Sequence, residues 1–372
     1  TPSPTPPPPT GGAGCNTTYD AVNKPPKPFY IRSSGSTYCF TRGITYYTNI
    51  LLDNATNVTI QAVGTGPKPI IDGQGASKAI YVNTGSDGAQ ILSMAVTNAE
   101  QGIGTGDGAD NVLINDIEAY GNSFDGIGLS NSLNNTISNC SVHNNIRNGI
   151  VFTGTGTKVM NCVITDNTRY PSPAGQEGLH HGIYAADGCA TPTIEGNTIK
   201  FTSNDGVSKS NGNAINYKCK GGTIRNNKIL GGYWDGIHLE QQPSASTIEV
   251  ANNTVENNEK GIVLYDYLWN DKTTVNIHNN TTQSNDNDVT GYNEQTEFDI
   301  RVKTTKVILR DNVFKGGMCT GACFASAMSA PALELGGNCF YGSSGDITAW
   351  QQATGDQNSS FNPASAAGCT GA

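Results

Sequence analysis

The chain has 372 residues, of which only 14% are charged, with 45 glycines and a net charge of −9. This composition excludes a predominantly helical protein and favours tightly turning β structure. The acidic balance argues against nucleic acid or an anionic membrane as partner, and means that an acidic polysaccharide would need a local basic patch.

Residues 1 to 14 form a Pro-rich arm, Thr-Pro-Ser-Pro-Thr-Pro-Pro-Pro-Pro-Thr followed by Gly-Gly-Ala-Gly. Proline fixes φ there and favours an extended polyproline II conformation. Residues 15 to 43, with Cys15, Cys39 and several aromatics, read as an N-terminal cap for a repeat protein, and Cys15–Cys39 is the expected bridge.

From Gly43-Ile44 a repeat sets in. Gly-Ile starts at Gly102, Gly126, Gly149, Gly182, Gly236 and Gly261, with Ala214 in the same role, stand 24, 23, 33, 32, 22 and 25 residues apart, and a degenerate Asp299-Ile300 follows. Each period holds three short strands with alternating apolar residues. That pattern describes one coil of a parallel β-helix, predicted over residues 44 to 315. Ile127, Leu129, Ile150, Phe152, Ile183, Ile215, Tyr217, Ile237, Leu239, Ile262 and Leu264 should face the core. An asparagine ladder is predicted through Asn115, Asn139, Asn161, Asn197, Asn227, Asn252 and Asn279. Cys140 and Cys162 follow two of these and should stack on adjacent coils, within disulfide reach. Residues 316 to 372 lose the repeat and read as a C-terminal cap tied by Cys319, Cys323, Cys339 and Cys369; Cys189 and Cys219 complete the ten cysteines. Their even number, without zinc spacings, favours an oxidising compartment. No leader and no long apolar run is seen, so a mature secreted protein, not inserted in a membrane, is expected.

The pattern resembles the right-handed parallel β-helix of the pectin-lyase-like superfamily, which includes lyases, hydrolases, epimerases, adhesins and fibres. Alternation turns His238 and Glu240 outward and stacks them with Tyr184, Asn216 and Lys218 on neighbouring coils. The position before each Gly-Ile adds Asp125, Asn148, His181, Asn213, Asp235 and Lys260. Lys218, His238, Tyr184, His181 and Glu240 are therefore the candidate catalytic residues for proton abstraction beside a uronate carboxylate. The stretch Ile215-Asn216-Tyr217-Lys218 resembles the lysine coil of β-helical alginate lyases and chondroitin lyase B. That resemblance implies Lys218 as the base, although the family's arginine-histidine coil is replaced here by Gly236-Ile237-His238-Leu239-Glu240. Polygalacturonase acids and the Asp-Pro-His-Asp of mannuronan epimerases are absent; Arg301-Val302-Lys303 echoes only a closing Arg-Ile-Lys. Isolated His143 and His278 read as structural.

The arm supports a different reading. It resembles the hydroxyproline-rich segments of plant and algal wall glycoproteins, which implies glycans on Thr1, Ser3, Thr5, Pro7, Pro8 and Thr10. Nine Asn-x-Ser/Thr sequons, Asn16, Asn54, Asn57 and Asn134 among them, permit more. The leading expectation from sequence is a secreted structural glycoprotein whose arm docks on the next copy, head to tail, into a filament. The alternative is a lyase or epimerase acting on an acidic polysaccharide. No cofactor is expected; Asp107, Asp110 and Asp116 could hold Ca²⁺ but lack a calcium-loop spacing.

Overall fold

The protein is described from a computed structural model covering residues 14–167, 180–201, 212–231, 234–240, 245–265, 273–283, 285, 296–300, 306–315, 333–341 and 360–361. The described residues form a solenoid of three parallel sheets, with 13, 13 and 11 strands. Successive strands go to successive sheets. One coil runs through β14 (Ile127–Leu133), β15 (Thr136–Ser138) and β16 (Ser141–His143), and the next begins at β17 (Ile150–Thr155). Each strand pairs in parallel with its counterpart one coil away, as Ile127 with Ile150 and Ile150 with Ile183. The ladder already starts at β1 (Thr17–Tyr19), inside the stretch read from sequence as a cap.

All eleven residues expected to face inward are buried in one continuous core. Each buried Ile or Leu contributes about 1.5–3 kcal/mol relative to exposure, so the stack of apolar columns carries the fold. The glycine of each Gly-Ile pair faces inward as well. At Gly149 a Cβ would lie 2.7 Å from both Ile164 Cγ2 and the Gly182 carbonyl, and at Gly236 it would collide with Val255. Two successive inward residues reset the alternation, and the residue before the glycine is thereby turned outward.

Three expectations need correction. The asparagine ladder mixes neighbouring positions. Asn139, Asn161, Asn252 and Asn279 take φ of about +55° at the corner, as do Ser93, Asp116, Asn226 and Asp311 at equivalent places. Asn115 sits one residue earlier, at the end of its strand. The stacked, buried ladder is one residue later: Asn197, Asn227, Asn253, Asn280, Asn312 and Asn338. In it each amide bonds the next, as Asn253 Nδ2 to Asn280 Oδ1 at 2.9 Å, and also a carbonyl of the preceding coil, as Asn253 Nδ2 to Ile224 O at 2.9 Å.

Cys140 and Cys162 occupy the first described places of this same ladder and are free, buried thiols, not a disulfide. They do the asparagine's work. The Cys140 N–H is donated to Cys162 Sγ at 3.4 Å, the Cys162 N–H to Asn197 Oδ1 at 2.9 Å, and the Cys140 sulfur lies 3.1 Å from the Ser138 carbonyl of its own strand. The bridges that do form are Cys15–Cys39, as expected, and Cys189–Cys219, with Cα atoms 5.8 and 4.6 Å apart. Cys339 is disulfide-bonded, while Cys319, Cys323 and Cys369 lie outside the described residues.

The last coil is also out of the expected register. Ile262 pairs with Phe298 and Leu264 with Ile300, so Glu297-Phe298, not Asp299-Ile300, continues the Gly-Ile series. Asp299 therefore joins the column below Val263; Arg301 and Lys303 lie outside the described residues.

Candidate functional site

The site lies on the outward face of the 11-stranded sheet, where β20 (Ile183–Ala185), β23 (Ile215–Tyr217), β26 (Asp235–Leu239) and β29 (Lys260–Leu264) lie side by side. Register brings Tyr184, Asn216, His238 and Val263 into one column. Lys218 and Glu240 follow one alternation later on their strands, and their side chains meet, Lys218 Nζ to Glu240 Oε1 at 3.0 Å. All five sequence-predicted candidates are thus gathered on three adjacent coils.

The residues before the glycines form a hydrogen-bonded chain of their own. Asn148 donates to Asp125 at 2.8 Å, the His181 N–H to Asn148 Oδ1 at 2.8 Å, the Asn213 N–H to His181 Nδ1 at 3.0 Å, and the Asp235 N–H to Asn213 Oδ1 at 3.3 Å. Because the Asn213 N–H occupies Nδ1, the His181 proton sits on Nε2. Asn216 Nδ2 lies 3.3 Å from that nitrogen while Asn216 Oδ1 is buried without a partner, so turning the amide over would bring its oxygen to the proton and satisfy both groups. Burial, with the nearby His238 charge, pulls the His181 pKa down to about 3. His181 is neutral with both nitrogens engaged, a fixed strut of the site.

His238 is in the opposite state. Burial opposes its charge, but hydrogen bonds and charges from Asp235 and Glu240 outweigh it and raise its pKa to about 9. Its Nδ1 bonds Asp235, and its Nε2 lies 3.8 Å from Glu240. Glu240 is pushed down to about 2: burial acts against the carboxylate, and the His238 and Lys218 cations more than offset it. Lys218 is likewise raised, with burial overcome by Glu240. At neutral pH the cluster therefore reads ammonium, carboxylate, imidazolium, carboxylate, linked from Lys218 to Asp235. Tyr184 borders it, its ring 5.7 Å from Lys218 Nζ and 4.9 Å from the His181 ring, and Tyr265 lies 5.4 Å from the ring of His238 on the far side.

Asp235 and Asn216, which the sequence reading already placed on this face, were not among its catalytic candidates. Strict alternation would bury Asp235, three residues before His238; the inward Gly236 turns it outward instead. That glycine was the available signal. Of the three other histidines, His180 is buried beside His181, and two stand apart, His143 stacked on Tyr120 and paired with Glu118, and His278 beside Glu249. Asp107, Asp110 and Asp116 go separate ways: Asp116 pairs with Lys68 and Asp110 accepts the Leu133 N–H. Among the described residues, no group of three or more His, Cys, Asp or Glu side chains is placed to hold a metal ion.

The chain matches the family described as right handed beta helix region over residues 49–219 and again over 175–359, and it belongs to that family. No curated protein sequence matches it. Among solved structures it is similar to the Azotobacter vinelandii mannuronan C-5 epimerase AlgE4 A-module, at 15% identity and TM-score 0.50, covering 82% of this chain and 85% of that one. The tailspike protein of E. coli bacteriophage HK620, solved with a pentasaccharide, is similar at 10% identity and TM-score 0.53, covering 93% and 72%. The Dettilon tailspike protein is similar at 14% identity and TM-score 0.53, covering 81% of this chain; the chain spans 62% of its length. These likenesses establish the shared fold.

Proposed function

We propose that this member of the right-handed β-helix family acts on an acidic polysaccharide, removing the proton beside a uronate carboxylate in β-elimination or epimerisation. The observation that carries the reading is the linked chain Lys218–Glu240–His238–Asp235, assembled from two adjacent coils on one outward face. Two of the similar structures, an epimerase of mannuronan and a tailspike holding a pentasaccharide, favour a carbohydrate substrate.

Chemically, an ammonium and an imidazolium in one cleft suit two demands of this reaction. Lys218, already protonated, is placed to neutralise the substrate carboxylate as charge builds on it, exchanging its Glu240 partner for the uronate. His238, protonated and aligned by Asp235, is placed to deliver a proton to the leaving oxygen or to the sugar carbon. Lys218 and His238 carry protons already, and His181 has no free lone pair. Glu240 is then the candidate left to accept the proton, being ionised and having its Oε1 freed when Lys218 turns to the uronate. This departs from the role that resemblance to alginate lyases implies for Lys218.

Alginate, pectate and chondroitin should be offered, with ultraviolet absorbance reporting an unsaturated product and NMR of the polymer reporting epimerisation. His238→Ala should lower the rate by about 10²–10⁴-fold. Lys218→Arg separates the roles of Lys218: a carboxylate neutraliser keeps much of its activity as arginine, a base does not. Neither product from any of the three polymers would overturn the proposal.

We further propose that the protein works outside the cell, which the two described disulfides support. Glycan attachment at Asn16, Asn54, Asn57 and Asn134, all exposed, stays a proposal of the same kind. The filament reading rested on the Pro-rich arm. Residues 1–13, with Thr1, Ser3, Thr5, Pro7, Pro8 and Thr10, lie outside the described residues, and nothing among the described ones favours docking between copies.

A further inference from the structure

On the same sheet face, toward the N-terminal end, a depression of about 580 Å³ lies over β8 (Lys78–Val82), β11 (Gln101–Thr105) and β14. It owes its depth to glycine. The outward column that carries Tyr184, Asn216 and His238 further along reads Tyr81, Gly104, Gly128, Val151 here. A Cβ on Gly104 would run into the stem of Lys78, and one on Gly128 into the Gln101 amide. With no side chains there, Lys78 and Gln101 lie flat across the sheet and form a low polar floor. Neither glycine has a left-handed φ, so the backbone does not require them. The space does.

The walls suit a sugar ring. Tyr81 stands at one end with Lys78 Nζ 5.0 Å from its ring centre. Phe124, 41% exposed and with the Arg147 guanidinium 4.4 Å from its ring, also lines the depression. Between them Asp125 is nearly buried and fixed by Gln101 and Asn148 at 3.2 and 2.8 Å. An aromatic face with an oriented carboxylate and amide is the chemistry that stacks a pyranose and holds its hydroxyls. Charge decides which pyranose. Glu100, Asp107 and Asp125 line the depression against Lys78, so a uronate is repelled and an uncharged ring is not.

We propose that this depression is a second saccharide subsite, taking an uncharged pyranose unit of a polysaccharide whose acidic unit lies at Lys218. The two places are three to four strand spacings apart along one sheet, roughly 14–19 Å. The substrate class is then a heteropolysaccharide that combines neutral and uronate units, not a uronate homopolymer. This inference rests on the reading of that face as polysaccharide-binding, but its test is separable from catalysis.

Neutral gluco-, manno- and galacto-oligosaccharides, alginate-derived oligouronates and chitosan oligomers should each be titrated calorimetrically into the His238→Ala protein. A neutral series should bind and the oligouronates should not bind at this place. Adding Gly128→Val, which places there the side chain that Val151 carries one coil on, should weaken neutral binding at least tenfold while the circular dichroism stays unchanged; Phe124→Ala should weaken it too. No saturable binding of any neutral series, oligouronate or chitosan binding that Gly128→Val weakens as much as it weakens neutral binding, or neutral binding indifferent to Gly128→Val would overturn the subsite. No activity of the wild-type protein on any acidic polysaccharide, with neutral binding intact, would refute the catalytic reading alone.

Discussion

Replacing His238 by glutamine tests whether the buried chain from Lys218 to Asp235 is charged as described. His238 has its pKa raised from 6.5 to about 9 by Asp235 and Glu240, against the cost of burial. About 2.5 pH units at about 1.4 kcal/mol each correspond to about 3 kcal/mol of folding free energy tied to this one proton. Because the folded-state value is raised, that stability is fully present below pH 6.5 and is lost as pH rises through 9. Urea unfolding followed between pH 6 and 9.5 should show the wild type losing roughly 3 kcal/mol over this interval. His238→Gln should be less stable at pH 6, because Asp235 and Glu240 lose the cation between them, and nearly flat over the same interval. An NMR titration of the His238 ring gives the independent reading. A ring that titrates at or below 6.5, or two parallel pH profiles, would refute the charged chain and with it His238 as the proton donor.

His181 should act in the other direction. Its pKa is lowered to about 3, so the unfolded chain takes up a proton that the folded chain refuses as pH falls below 6.5; His181→Asn should remove part of the acid-side loss of stability, seen as a smaller drop in urea midpoint between pH 6.5 and 4. Asn253→Ala should cost about 2–5 kcal/mol, since the buried Asn227 N–H loses its 3.0 Å acceptor and three further ladder bonds disappear. Asn252→Gly, one residue away at an exposed corner of φ +56°, should change stability by less than about 1 kcal/mol, and equal effects at 252 and 253 would contradict the assignment of the ladder. Alkylation of the denatured, unreduced protein followed by mass spectrometry should label Cys140 and Cys162 and leave Cys15, Cys39, Cys189 and Cys219 unlabelled. Cys162→Asn should preserve or raise stability, because asparagine is what the following six described coils place there.

The period of Gly-Ile starts, the alternation within each strand and the stacking of outward columns are local properties, and they were enough to predict the solenoid, its core residues and the gathering of Lys218, His238, Tyr184, His181 and Glu240. A β-helix is legible in this way because neighbours in space are one repeat apart in sequence. What escaped sequence reading depended on single-residue registers that composition does not reveal. The corner asparagines and the buried ladder differ by one position, so Cys140 and Cys162 were read as a bridge when they fill ladder sites. Phe298 and not Ile300 continues the column of Ile262, because ladder pairing outweighs resemblance to Gly-Ile. Charge states were decided by tertiary structure alone. His181 and His238 are the same residue type two coils apart, yet one is held neutral by a backbone N–H at its lone pair and the other is held charged by two carboxylates. The sequence determined which side chains share a face. Only the packed coils determined how deeply each is buried and which partner reaches it, and those two quantities set the proton on each histidine.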